Sequence, residues 1–167
     1  MNIKWIFPLL LSFIIIFNVK DTQAQSRKND IPVNELPSVV KKVLDRYISI
    51  LSTSETLDQC EKSFVSIAGG GLVDEMGTQL RRSVKPYSLK KDFNGIRFYK
   101  VPIEITRVNV SESAGNGYGY SAIRGKIYKV WIAKKDNING YPAPISIMVP
   151  EGHKSIKTPK IVGIGSL

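Results

Sequence analysis

The chain of 167 residues has one cysteine and one histidine. With Cys60 alone, no internal disulfide can form, so stability has to come from a buried core. With His153 as the only histidine, a structural zinc site is excluded, since that needs several His or Cys ligands. Acidic residues are also scarce, 14 Asp and Glu against 24 Lys and Arg. Asp74-Glu75 is the only adjacent acidic pair, which leaves nothing for a calcium loop of closely spaced carboxylates. After the first two dozen residues no apolar run approaches the ~20 residues that span a bilayer. Repeats and low-complexity segments are missing as well.

The N-terminus is where the hydrophobic run lies. Lys4 precedes an apolar stretch from Trp5 to Phe17, broken only by Pro8 and Ser12 and closed by Asn18, Lys20 and Asp21. Thr22-Gln23-Ala24 presents small residues at the positions a signal peptidase reads, with Gln25 as the new N-terminus. The expected organisation is a signal peptide at 1–24, a disordered spacer at 25–34 and one domain at 35–167. The expected destination is the periplasm or the extracellular medium. The leader carries Lys4, Lys20 and Asp21, a net +1, so the formal charge of +10 becomes +9. Such a charge favours anionic partners: lipid head groups, acidic polysaccharide or an acidic protein. The basic residues are spread along the chain as pairs, such as Lys41-Lys42 and Lys90-Lys91, so nucleic acid is not the expected partner.

Hydrophobic periodicity predicts the elements. Leu36, Val39, Val40, Val43, Leu44, Tyr47, Ile48 and Leu51 recur at three- and four-residue steps, which marks an amphipathic helix opened by Pro37. A shorter helix follows, capped by Ser52 or Ser54, with a stripe of Leu57, Cys60 and Phe64. Cys60 reads as a small buried apolar residue. A short strand is expected at Phe64–Ile67, and a weak helix at Thr78–Tyr87 ended or kinked by Pro86. Leu89–Tyr99 reads as a polar connector with an Asn94-Gly95 turn.

From Phe98 onward the period becomes two. Ile103 and Ile105 share one phase and Val108 and Val110 the other, which places a bulge near Thr106-Arg107. Further strands are expected at Ser121–Ala133, Ala143–Val149 and Ile161–Ile164. Helices followed by strands give an α+β fold, with N-terminal helices packed on a curved antiparallel sheet of four to six strands.

Few residues point to chemistry. Gly115 to Tyr120 is glycine-rich but lies between strands, so it does not have the strand–helix setting of a dinucleotide loop. Its Tyr118 and Tyr120 offer stacking area and hydroxyls for a loop contact. His153 sits in a turn as a lone side chain. Asn109-Val110-Ser111 fits a glycosylation sequon at a strand end. Glu104, Arg107, Tyr128 and Trp131 fall on the two long strands and, with Tyr47, are expected to line a cavity between helices and sheet. No catalytic motif, metal or cofactor is implied.

The element order over about 36–167 resembles the nuclear transport factor 2-like superfamily of α+β cones. The runs Gly71-Leu72-Val73-Asp74-Glu75, Ser83 to Phe93 and Pro144 to His153 are similar to exported bacterial proteins of unassigned function. The resemblance implies a cone with a pocket, in a group that includes ligand binders, dimerisation modules, isomerases and dehydratases, so fold alone leaves function open. The expectation is a secreted, non-catalytic domain that holds a small anionic ligand in the cone. The alternative is an interaction module at the cell envelope that binds an envelope protein or forms a homodimer. An isomerase- or dehydratase-like enzyme is the third reading, with Tyr47 and Glu104 as its hydroxyl and carboxylate pair.

Overall fold

The computed structural model describes residues 28–115, 118–140 and 144–167. The leader at 1–24, Asn116-Gly117 and the expected strand start at Ala143 lie outside them. The fold is α+β, with helices on one face of a curved antiparallel sheet.

Helix α1 spans Ser38–Thr53. Pro37 precedes it, and its carbonyl accepts from the backbone N–H groups of Val40 and Lys41 at 2.9 and 3.1 Å. Most of the expected stripe faces inward: Val40, Leu44 and Tyr47 are fully enclosed and Ile48 and Leu51 nearly so, Leu36 and Val43 are half-buried, and Val39 is exposed. Burying each such side chain contributes about 1.5–3 kcal/mol. Helix α2 spans Leu57–Val65 and buries Cys60 and Phe64. Its cap is Thr56, whose hydroxyl accepts from the Gln59 N–H at 3.2 Å. Neither Ser52 nor Ser54 caps it, because Ser54 Oγ is committed to the Ile50 carbonyl at the end of α1.

The expected strand at Phe64–Ile67 is shortened and displaced. Phe64 stays in α2, and Ile67–Gly69 makes one parallel bridge to Ile161, through bonds of 2.8 Å on each side. A side chain at Gly69 would meet Lys160 Cβ at 2.8 Å, so only glycine lets the backbones approach there.

The segment from Thr78 to Tyr99 departs most from expectation. Val73 and Leu80 form a bridge, so Thr78–Leu80 is not helical. Pro86 does not end a helix; it sits early in a π-helical turn, Val84–Leu89. That turn runs into helix α3, Lys90–Gly95, and a 3-10 turn at Ile96–Phe98. Proline is tolerated in a first helical turn because its missing N–H has no partner there anyway. Burial of Val84, Leu89 and Ile96 supplies the drive that a polar composition hides.

Five strands complete the sheet in chain order: β1 Asp30–Ile31, β2 Ile105–Ser113, β3 Gly125–Ile132, β4 Pro144–Pro150 and β5 Lys160–Gly163. Every neighbouring pair is antiparallel. The expected bulge is present, as a register shift between Ile105 and Arg107. β1 falls inside the segment expected to be a disordered spacer. Arg107 Nε and Nη2 hold the Asp30 carboxylate at 2.9 and 3.0 Å, and Asn109 Nδ2 donates to it at 2.8 Å. β3 starts at Gly125 rather than Ser121. Gly125 has φ +148, and a side chain there would strike the Val149 carbonyl oxygen.

The core lies between the helices and one face of the sheet. Tyr47, Phe64, Leu44, Leu89, Ile132, Ile145, Ile147 and Ile161 form one cluster. Ile123, Met148 and Ile156 form a smaller cluster on the opposite face. Among the described residues no helix is long and apolar enough to cross a membrane.

Candidate functional site

The five residues expected to line one cavity are not brought together. Tyr47 points from α1 into the core, fully buried. Tyr128 packs half-buried against the same core. Arg107 and Trp131 are paired across β2 and β3, on the other face from Val130 and Ile132 as the pleat requires. There the guanidinium lies 4.3 Å from the Trp131 ring centroid, so with Asp30 these residues clamp β1 to the sheet. Glu104 precedes β2, exposed, and accepts from Lys100 Nζ at 3.0 Å. Because Tyr47 is interior and Glu104 is at the surface, the expected pair does not form. Of the loop tyrosines, Tyr118 is exposed and Tyr120 packs against both clusters. His153 Nδ1 accepts from the N–H groups of Ser155 and Ile156 at 3.2 and 2.9 Å, which makes it a turn-forming residue.

Tyr47 instead donates to Asp92 Oδ2 at 2.8 Å. Asp92, on α3, is fully buried. Its oxygens also accept from the N–H groups of Gly165 at 3.0 Å and Leu167 at 2.9 Å. Three donors from α1 and the C-terminal segment therefore converge on one carboxyl group, as a buried polar group requires. Burial, then Asp92, raises the Tyr47 hydroxyl well above its ordinary value. Burial pushes the Cys60 thiol up to about 11.

Sequence reasoning missed Asp92. The available signal was its position in Leu89, Asp92, Phe93, Ile96, where helical spacing puts it on the buried stripe. Lys90, Lys91 and Asn94 mask that spacing by giving the segment the polarity of a connector.

Beside this group, α3, the 3-10 turn and the C-terminal segment form an open cleft of about 340 Å³. Its walls include Lys91, Asn94, Arg97, Phe98, Tyr99 and Lys134. Lys91 Nζ donates to the Gly165 carbonyl at 3.0 Å, and Lys134 Nζ to the Asn139 carbonyl at 3.2 Å. The Arg97 guanidinium lies 4.8 Å from the Phe98 ring centroid. Among the described residues none of these three cations is in an ion pair, and no Asp or Glu lines the cleft. Tyr99 is 1 % exposed, and its hydroxyl has no hydrogen-bond partner among the described residues. Burial, then Asp92, raises its pKa. The arrangement can hold an anion; it offers no nucleophile–base pair.

No family model matches the chain, and comparisons with curated proteins and with solved structures give no match.

Proposed function

We propose that this chain is an exported, non-catalytic binding domain of the nuclear transport factor 2-like kind. Its small anionic ligand would sit in the cleft beside α3 rather than beneath the helices. The observation that carries this reading is the cleft wall: Lys91, Arg97 and Lys134 all line it, and no Asp or Glu side chain does. None of the three is in an ion pair among the described residues, so an anion entering the cleft meets positive side chains that no acidic side chain neutralises. The order of two helices, a third helical segment and an antiparallel meander supports the family reading. The leader supports export to the periplasm or beyond.

The packed core directs the ligand to the surface, since Tyr47, Phe64 and Leu89 occupy the space between helices and sheet. That same packing favours a second reading, an interaction module that binds an envelope protein. The isomerase- or dehydratase-like reading loses its support, because Tyr47 is committed to Asp92 and Glu104 to Lys100.

Native mass spectrometry of the mature protein from its own compartment tests the proposal. The expected result is a retained extra mass, lost on denaturation and lost in the Arg97→Glu/Lys134→Glu variant. A bare chain, or a retained mass indifferent to that variant, overturns it. A bare monomer that gains mass only with a protein partner establishes the second reading.

A further inference from the structure

A second opening adjoins the cleft. It holds about 490 Å³ and shares Lys91 and Asn94 with it, which places the two openings side by side along α3. Pro86, Tyr87 and Lys90 lie on the far side, and Arg97, Phe98 and Lys134 on the near side. Each half therefore has cations and one exposed aromatic ring. Tyr87 is 73 % exposed and Phe98 is 40 % exposed. Again no acidic residue lines the second opening.

We infer that the two openings act as one groove and take a short stretch of acidic polysaccharide, a chain of carboxylated sugars. The inference rests on the proposed anionic cleft and extends it to a ligand class. Length is the first argument. Two adjoining openings offer more length than one small anion fills, with Lys90 lining one, Arg97 and Lys134 the other, and Lys91 both. Composition is the second. Sugar rings present apolar C–H faces that suit exposed Tyr and Phe rings, and hydroxyl groups that suit the Asn94 amide. Carboxylates suit the Arg97 fork, whose N–H edge stays available when the guanidinium lies over the Phe98 ring.

An acidic peptide fits less well. The groove floor is helical and has no free strand edge for main-chain pairing. A single-stranded nucleic acid would use the same cations, but it also needs successive bases stacked on aromatic platforms. Here each opening has one exposed ring, Tyr87 in one and Phe98 in the other, which gives successive bases no run of platforms.

Calorimetric titration of the mature chain at about 100 mM salt, where long-range attraction is screened, tests the assignment. The probes are a galacturonate hexamer, a neutral maltohexaose, a hexaglutamate and a hexathymidylate. The galacturonate hexamer is expected to bind at least tenfold tighter than the other three. Arg97→Glu is expected to weaken it tenfold or more, with Arg97→Lys recovering part of the loss. Tyr87→Ala is expected to weaken it several-fold with an unchanged melting temperature. Lys126→Glu, the same charge change at an exposed site on β3, is expected to stay within twofold.

Equal or tighter binding of hexaglutamate or hexathymidylate, lost in Arg97→Glu, overturns the saccharide assignment and leaves the anionic cleft standing. Equal losses in Lys126→Glu and Arg97→Glu show attraction by net charge alone and overturn the groove. No binding by any anion, with a bare chain in native mass spectrometry, overturns the groove and the proposed function together.

Discussion

Replacing Asp92 by alanine is expected to be among the most damaging single changes in this protein. The carboxyl group accepts from Tyr47 Oη, Gly165 N and Leu167 N. The bonds from Tyr47 and Leu167 are buried and the one from Gly165 is partly so. A buried donor left without an acceptor costs about 1–3 kcal/mol. Two such donors, with a smaller third contribution, give a loss of about 3–5 kcal/mol, a large part of the roughly 5–15 kcal/mol that stabilises a typical domain. Tyr47→Phe removes one donor and leaves the others paired, so it is expected to cost about 1–2 kcal/mol. In the double variant the two losses should fall short of additive by about 1 kcal/mol or more, since both break the same bond. Urea unfolding followed by Trp131 fluorescence measures all three. Hydrogen exchange at the Gly165 and Leu167 amides should quicken in Asp92→Ala more than in Tyr47→Phe, which locates the loss. A stability within about 0.5 kcal/mol of the parent for Asp92→Ala, or unchanged exchange at Leu167, would refute the reasoning.

Tyr99→Phe is expected to be neutral or stabilising by up to about 1 kcal/mol in thermal melts, because it deletes a buried hydroxyl with no partner among the described residues; a marked loss would show that the hydroxyl is satisfied. Stability is expected to fall between pH 9 and pH 11, where the unfolded chain releases the Cys60 proton from its ordinary value of 9.0 while the folded chain holds it to about 11. The raised Tyr47 and Tyr99 hydroxyls push the same way at higher pH, and a flat urea midpoint across that window would contradict the burial of the thiol. Gly95→Ala would place a methyl 2.5 Å from the Leu167 carbonyl carbon, so a loss of about 1–3 kcal/mol and quickened exchange at Leu167 are expected, despite the gain in helix propensity. Arg107→Ala should cost only about 1 kcal/mol, because the ion pair is partly exposed, yet it should free β1 and speed tryptic cleavage at Lys28; an unchanged digestion rate would count against the clamp.

How much was legible follows from the range of each interaction. The α1 stripe, the α2 stripe of Leu57, Cys60 and Phe64, and the bulge between Ile105 and Arg107 were visible because each is written in neighbouring residues. The α3 segment was not. Lys90, Lys91, Asp92 and Asn94 make it read as polar and hide the helical spacing of Leu89, Asp92 and Ile96, and only packing against α1 and the C-terminal segment supplies the partners that let Asp92 face inward. Residue type and position along the strands do not show which of Glu104, Arg107, Tyr128 and Trp131 share a face. The pleat put Arg107 and Trp131 on one face and Tyr128 on the other, as the register in the sheet decided.

By itself, then, the sequence determined the α+β order, the antiparallel meander, the burial of Cys60 and the excess of cations over anions. These depend on local periodicity and composition, which act within a few residues along the chain. The tertiary structure alone decided that Tyr47 meets Asp92 across 45 positions and that Asp30 is held by Arg107 across 77. It alone gathered Lys91, Arg97 and Lys134 around one cleft. Contacts of that separation leave no periodic trace in the sequence. They arise when burial of the apolar faces brings the segments together, and the polar groups carried inward must find whichever partners the packing has placed beside them.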